Sequence, residues 1–355
     1  MPPLKKLRGL LVLPLALLAG CNMVVLNPSG DIARQQGQLI VISTVLMLLI
    51  IVPVIALTIF FAWKYRQSNK AATYSPDWDH STELELAIWA APLMIIIALG
   101  AITWISTHTL DPYRPLRRLE ANRPVPENTK PLTIEVVSLD WKWLFIYPEQ
   151  GIATVNEVAA PVDRPIVFKI TSSSVMNAFY IPALAGMIYS MPGMETQLNA
   201  VINQPGDYEG FSANYSGAGF SGMRFRFHGV SNEGFDDWIK KAKAESTPLT
   251  REAYLELERP SEREPVRRFG TVDADLYDAI LNRCVDRNKM CMKQMMAIDA
   301  SGGLGGPTGA YNIAQKKPWQ PELKNSPTRT YVTAMCTVDD PAGLSLPRTN
   351  FRIEE

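Results

Sequence analysis

Two apolar runs without a single charge dominate the first third of the chain. Leu39 to Trp63 is 25 residues long and Leu86 to Ile105 is 20. Each is long enough to cross a hydrocarbon core of roughly 30 Å as a helix. Pro53 and Pro92 do not oppose this, because neighbouring groups in a membrane satisfy the backbone that proline frees. The pattern therefore predicts a transmembrane α-helical hairpin over residues 39–107.

A shorter apolar stretch precedes the hairpin. Lys5, Lys6 and Arg8 lead into "LLVLPLALL", and the stretch ends on "LAGC", Leu18 to Cys21. A basic start, a short apolar core and small residues before a cleavage point make an export signal over residues 1–20. An ordinary signal peptide with a chance cysteine is the plainer reading. Leu-Ala-Gly directly before Cys favours a lipoprotein signal, with a covalent lipid on Cys21 and an exported segment over 21–38. The loop between the spans carries Lys64, Arg66 and Lys70, while Arg114, Arg117, Arg118 and Arg123 follow the second span. Charge bias alone points both ways. The exported N-terminus decides for a cytoplasmic loop and for both chain ends on the outer side of a bacterial inner membrane.

After residue 108 the period changes. Residues 132–147, 165–171, 196–202 and 223–230 are β-branched or aromatic runs separated by Pro148, Gly151, Pro205 and Gly206. This predicts an all-β sandwich or barrel over 108–232. "FDDWIKKAKAE" and "TREAYLELERPSE" read as helices, a helical extension over 233–298 limited by Pro248 and Pro260. Residues 299–355, rich in Gly, Pro and polar groups, read as a disordered tail. Lys plus Arg (35) balance Asp plus Glu (35), so net charge names no nucleic-acid partner.

The candidate chemistry lies in "SANYSGAGFSGM", Ser212 to Met223. With Cys at both Ser212 and Ser216 and His at Phe220, this spacing would be a copper loop. A lipoprotein signal, a two-helix hairpin, the strand "DWKW" and this loop together resemble subunit II of the haem–copper oxidases. "YSPDWDHS", "YPEQGIATVNE", "SVMNAFYIP" and "YSGAGFSGM" resemble the quinol-oxidase branch, the bo-type ubiquinol oxidases. The resemblance covers about Leu18 to residue 285. It implies a cupredoxin-like Greek-key sandwich for the β region.

In the cytochrome c branch that domain holds two coppers bridged by two thiolates. By resemblance the thiolate positions are Ser212 and Ser216, the histidine positions Asn177 and Phe220, the carbonyl position Asn214 and the methionine position Met223. Only Met223 keeps its side chain. Soft thiolates and imidazoles select copper, and a protonated hydroxyl or a phenyl ring does not. Cys21, Cys284, Cys291 and Cys336 all lie outside the loop. The expectation is that this chain binds no metal. Haems, the oxygen-reducing copper and ubiquinol would belong to the partner subunit I, smaller oxidase subunits and membrane lipid would be further partners, and cytochrome c would not bind.

The implied activity is oxidation of ubiquinol with reduction of oxygen to water and proton translocation. Two other readings stand beside it: a copper-binding subunit II of a cytochrome c oxidase, and a free-standing membrane lipoprotein with a cupredoxin shell. By resemblance Trp141 is the position that receives electrons from cytochrome c. Its alternation with Trp143 on a strand favours packing. Phe220 is expected to fill apolar space, and His228 reads as a strand histidine. "KMCMKQMM", 289–296, favours a packing helix over a copper site.

Cys284 and Cys291 stand about 10 Å apart if a continuous helix joins them, so a disulfide requires a helix break. Glu85 aligns by resemblance with a glutamate at the mouth of a proton-uptake channel. "TELE", 82–85, also reads as a capping box in which Glu85 bonds back to Thr82.

Overall fold

The structure is a computed structural model and describes residues 23–300 except Tyr74 and Pro76. The export signal, Cys21 and the segment from 301 lie outside the described residues. Helix α1 runs over Asp31–Lys64 and α2 over Thr82–Thr109. Both are long and apolar enough to cross a membrane, and their apolar side chains, such as Ile59, Trp89 and Trp104, are exposed.

α1 starts eight residues before the apolar run. Its first turn packs on protein: the backbone N–H groups of Ser29 and Gly30 donate to Ala183 O at 3.1 and 2.8 Å. Asp31 is buried and accepts from Arg118 Nε at 2.8 Å. Gly30 is required there, since a Cβ would stand 2.6 Å from Leu184 O.

The cap of α2 differs from the sequence expectation. The N-cap is Ser81, and Glu85 turns to His80, whose Nδ1 lies 2.6 Å from its Oε1. The carboxylate has an imidazole within reach, so the reciprocal capping box at Thr82 does not form.

Beyond the hairpin come a small ribbon, β1 (Arg118–Glu120) and β2 (Arg123–Pro124), and then the strands of a sandwich. In chain order they are β3 (Leu132–Leu139), β4 (Lys142–Tyr147), β5 (Ile152–Val155), β6 (Glu157–Pro161) and β7 (Ile166–Ser172). β8 (Asn177–Tyr180), β9 (Ile188–Ser190), β10 (Thr196–Ala200), β11 (Gly206–Ser212) and β12 (Arg224–Val230) follow. The run 132–147 is two strands, because the chain reverses at Asp140–Trp141 with Trp141 at φ 71°.

β12 leads into α3 (Asn232–Lys243), β13 (Pro248–Leu249) and α4 (Arg251–Leu257). Then come β14 (Arg267–Phe269), β15 (Thr271–Val272), α5 (Leu276–Leu281) and α6 (Met292–Ala300). One sheet has the order β10-β7-β3-β4-β5-β14 and the other β6-β12-β11-β8-β9. β3 with β7 and β12 with β6 are parallel, so the chain crosses between layers as a Greek-key sandwich does.

The first sheet is buried on both faces. Ile134, Val136, Trp143, Phe145 and Phe168 face the second sheet, with Phe179 and Phe225 opposite. Val137, Leu139, Leu144 and Ile146 face the other way, onto Tyr254, Leu257, Leu276 and Ile280 of the C-terminal segment. Burial on both sides explains why β4 reads "KWLFIY" without polar alternation. Even Lys142 is buried, its ammonium donating to Arg259 O and Ser261 Oγ at 2.7 Å each.

Cys284 and Cys291 form a disulfide with Cα atoms 4.8 Å apart. The required break is present, because α5 ends at Leu281 and α6 begins at Met292.

Candidate functional site

Three elements of the second sheet bring the resemblance-assigned positions to one end of the sandwich. Asn177 opens β8, Ser212 closes β11, and the loop between β11 and β12 carries the rest. Asn177, Ser212 and Met223 are each at most 3% exposed. The Ser212 hydroxyl lies 3.1 Å from Asn177 Oδ1 and 3.2 Å from Asn214 O, and it is 3.5 Å from the N–H of Ala178. The Asn177 amide donates to Val175 O at 3.3 Å, and the Asn214 amide to Met176 O at 3.2 Å. A hydroxyl and an amide thus satisfy one another in place of a shared ion.

Ser216 and Phe220 stand apart from this cluster. The Ser216 carbonyl accepts the Trp141 indole N–H at 2.9 Å, and its buried hydroxyl has no hydrogen-bond partner among the described residues. Phe220 begins a single 3₁₀ turn and is only half-buried, edge-on to Tyr215 with centroids 5.6 Å apart. It does not join the apolar core, contrary to the expectation from sequence. A ring on a short turn at the domain surface has neighbours on one side only. Met223 does join the core, and its carbonyl accepts the Ser212 N–H at 3.1 Å.

Trp141 is not a face-mate of Trp143. It occupies the hairpin turn and lies under the loop, so a Cβ on Gly219 would come within 2.5 Å of its ring. Both tryptophans pack: Trp143 is fully buried and flanked edge-on by Phe179 and Phe225, and Trp141 packs against the same core part-buried. A dinuclear copper site needs thiolates and imidazoles. The hydroxyls, amides and phenyl ring found here do not fit one, and the Cys284–Cys291 pair belongs to the second core.

His228, on β12, is engaged at both nitrogens. Nδ1 lies 2.5 Å from Asp207 and Nε2 3.2 Å from Glu157, whose carboxylate also takes two bonds from Arg268 at 2.8 and 3.0 Å. The bond to Glu157 raises the imidazole above its ordinary value against partial burial, and Asp207 adds to the rise. Burial would lift the Glu157 carboxyl, but His228 and Arg268 outweigh it and bring it down to about 2. This is a structural clamp between the second sheet and β14, the edge strand of the first. Nothing in the spacing of residues 157, 207, 228 and 268 exposes it in the sequence, because four separate segments contribute.

Residues 134–230 match the family described as "Cytochrome C oxidase subunit II, periplasmic domain". Residues 243–288 match the "COX Aromatic Rich Motif". The chain is 51% identical over 281 residues to cytochrome bo(3) ubiquinol oxidase subunit 2 of Pseudomonas aeruginosa, covering 79% of this chain and 82% of that relative. It is 50% identical to the subunit of the same description from Pseudomonas putida, over 78% of this chain and 85% of that one. It is 51% identical to ubiquinol oxidase subunit 2 of Acetobacter aceti, over 75% and 84%. The chain belongs to the ubiquinol oxidase subunit 2 family.

Membership makes it part of a terminal oxidase, an oxidoreductase complex with other oxidase subunits, and its two apolar helices make it an inner-membrane protein. The sandwich is the cupredoxin-like domain of that family. The aromatic-rich motif was visible in sequence only as helices. Its function in the fold is the second core, where Tyr254, Phe269 and Tyr277 cover the outer face of the first sheet.

Proposed function

We propose that this chain is the copper-free subunit II of a quinol-oxidising, proton-translocating terminal oxidase, with a structural and assembly role. The reading is carried by the Ser212–Asn177–Asn214 hydrogen bonds, which occupy the place where copper ligands would converge. Haems, the oxygen-reducing copper and the quinol site then belong to the large partner subunit. Ubiquinol is lipid-soluble and reaches that subunit from within the bilayer, so no water-facing relay from cytochrome c is needed. Trp141 has a structural role in the loop, its indole N–H donating to the Ser216 carbonyl.

Cys21 carries a lipid after cleavage of the leader. Both ends of the mature chain are periplasmic. Glu85, at the start of α2 and half-exposed beside His80, supplies protons to the partner from the cytoplasmic side. A copper-binding subunit would need a donor set this loop lacks, and a free-standing lipoprotein would leave the bare hairpin unexplained.

The test is gentle purification from membranes, then oxygen uptake with ubiquinol and with reduced cytochrome c, and metal analysis of the separated subunit. Rapid uptake with ubiquinol alone and no copper in this subunit is the expected result. Two coppers per chain after removal of adventitious metal would overturn the reading.

A further inference from the structure

We propose that a cavity where the two spans meet the β domain binds the phosphate of an anionic phospholipid, with an acyl chain laid along α1. The cavity measures about 290 Å³ and lies among the start of α1, the linker after α2, and β10. α1 begins at Asp31, eight residues before its apolar run, and α2 ends at Thr109, four residues after its own, so the cavity lies just beyond the end of both apolar runs, on the side of the β domain. Trp104 and Tyr113, both exposed, mark the same level with the aromatic side chains that favour a membrane–water interface.

Three arginines line the cavity, and they differ in what they already hold. Arg118 is neutralised by buried Asp31, with bonds of 2.8 and 3.2 Å. Arg114 commits one N–H to His108 O at 3.1 Å, leaving the rest of its guanidinium and its full charge. Arg117 is exposed and has no ion pair among the described residues. The one other acid in the lining is Asp111, whose Oδ1 accepts the N–H of Tyr113 at 2.9 Å. Two available guanidiniums against one partly engaged carboxylate leave a net positive cradle, and a guanidinium matches a phosphate by paired hydrogen bonds. The wall is held in place, because Asn199 donates from its backbone and its side chain to Pro112 O at 3.0 and 2.8 Å.

A second observation gives the ligand its other half. An apolar groove adjoins the cavity, shares Gln36, Gly186 and Met187 with it, and continues along Leu39 and Ile40 into the start of the first span. A charged cradle running into an apolar groove at the edge of the bilayer suits an amphiphile. Free phosphate would use only the first part. The inference does not depend on the direction of insertion or on the copper and proton readings above.

The purified oxidase complex, placed in nanodiscs of phosphatidylglycerol or of phosphatidylcholine, provides the test by native mass spectrometry. The intact complex is expected to retain one more phosphatidylglycerol than a complex with Arg114→Gln and Arg117→Gln. Loss of charged hydrogen bonds should weaken its retention roughly tenfold or more. Arg117→Lys in the Arg114 background should restore much of it.

Inorganic phosphate should not displace the lipid, and phosphatidylcholine should not fill the place. If the double variant fails to assemble, a photoreactive phosphatidylglycerol on the unaltered complex should label the peptide 110–118. Equal lipid counts in variant and parent, displacement by phosphate alone, or absence of label from that peptide would each overturn the proposal.

Discussion

The indole N–H of Trp141 donates to the carbonyl oxygen of Ser216 at 2.9 Å, joining the β3–β4 turn to the loop that resembles a copper site. The contact explains why the loop keeps its glycines. Gly217 has φ 116° and would crowd the indole at 3.0 Å, and Gly219 packs on the ring itself. The loop closes one end of the sandwich by lying on Trp141.

Gly219→Ala should therefore destabilise the outer domain by about 1–3 kcal/mol, the usual cost of forcing an extra carbon into a packed contact. Thermal unfolding of the purified protein measures it. In a Trp141→Ala background the same change should cost much less, because the ring atoms it meets are gone. Equal costs in the two backgrounds would sever the link between ring and glycine.

The His228 clamp gives stability a pH dependence of determined sign. His228 titrates above its ordinary 6.5, so its contribution is complete below that value and is lost as pH rises through the higher folded value. Glu157 titrates near 2 against an ordinary 4.5, so its contribution is present above 4.5 and is lost as pH falls toward 2. This clamp should therefore stabilise most between about pH 4.5 and 6.5. Melting temperature followed against pH should lose its decline on the alkaline side in His228→Gln. An unchanged profile would show that the imidazole is not what titrates.

Reduction of the Cys284–Cys291 bridge, or Cys284→Ser with Cys291→Ser, should lower stability by about 2–3 kcal/mol through the freed loop. The loss should fall on the C-terminal segment, since Cys284 belongs to the second core and not to the sandwich interior. Hydrogen exchange would then rise over residues 276–300 while β7 and β12 stay protected. Uniform acceleration across both sheets would contradict that division.

Much of this architecture is legible without coordinates, for identifiable reasons. Uncharged runs of 25 and 20 residues admit almost nothing but spans. The loop spacing and its neighbouring stretches carry the family. What local pattern does not carry is a contact between distant segments. "LDWKW" alternates like a strand, yet the chain turns at Trp141 because an antiparallel partner had to be made from the same run. Thr82 to Glu85 spells a capping box, but His80 outcompetes the Thr82 N–H for the carboxylate. Phe220 is apolar by type, and its half-exposed place on a one-turn helix is decided by the loop around it. Phe220→Ala should accordingly cost little, under about 1 kcal/mol, in place of the 1.5–3 of a fully buried ring.

Glu85→Gln should slow oxygen reduction under multiple turnovers while leaving haem content and ubiquinol affinity unchanged. Glutamine keeps a hydrogen bond to His80 and cannot release a proton, so helix stability and proton delivery are separated. Oxygen uptake by the assembled complex is the measurement. A normal rate would remove Glu85 from the uptake path and leave it as a polar residue at the head of α2.

The copper site that the loop outlines should be recoverable by substitution. Ser212 and Asn177 already bring their side-chain oxygens within 3.1 Å, and Met223 is in place and buried. Ser212→Cys and Ser216→Cys, with Asn177→His and Phe220→His, would replace hard or inert groups by two thiolates and two imidazoles. The Asn214 carbonyl, 3.2 Å from the Ser212 hydroxyl, stands ready as a further oxygen donor. The quadruple variant should take up two coppers per chain and show thiolate-to-copper absorption, while the parent shows neither. Ser216 is the demanding position, because its carbonyl is fixed by Trp141 and its hydroxyl faces no partner among the described residues. A colourless quadruple variant that remains folded would mean that Trp141 holds the loop too far from Asn177, and that the spacing survives without the geometry.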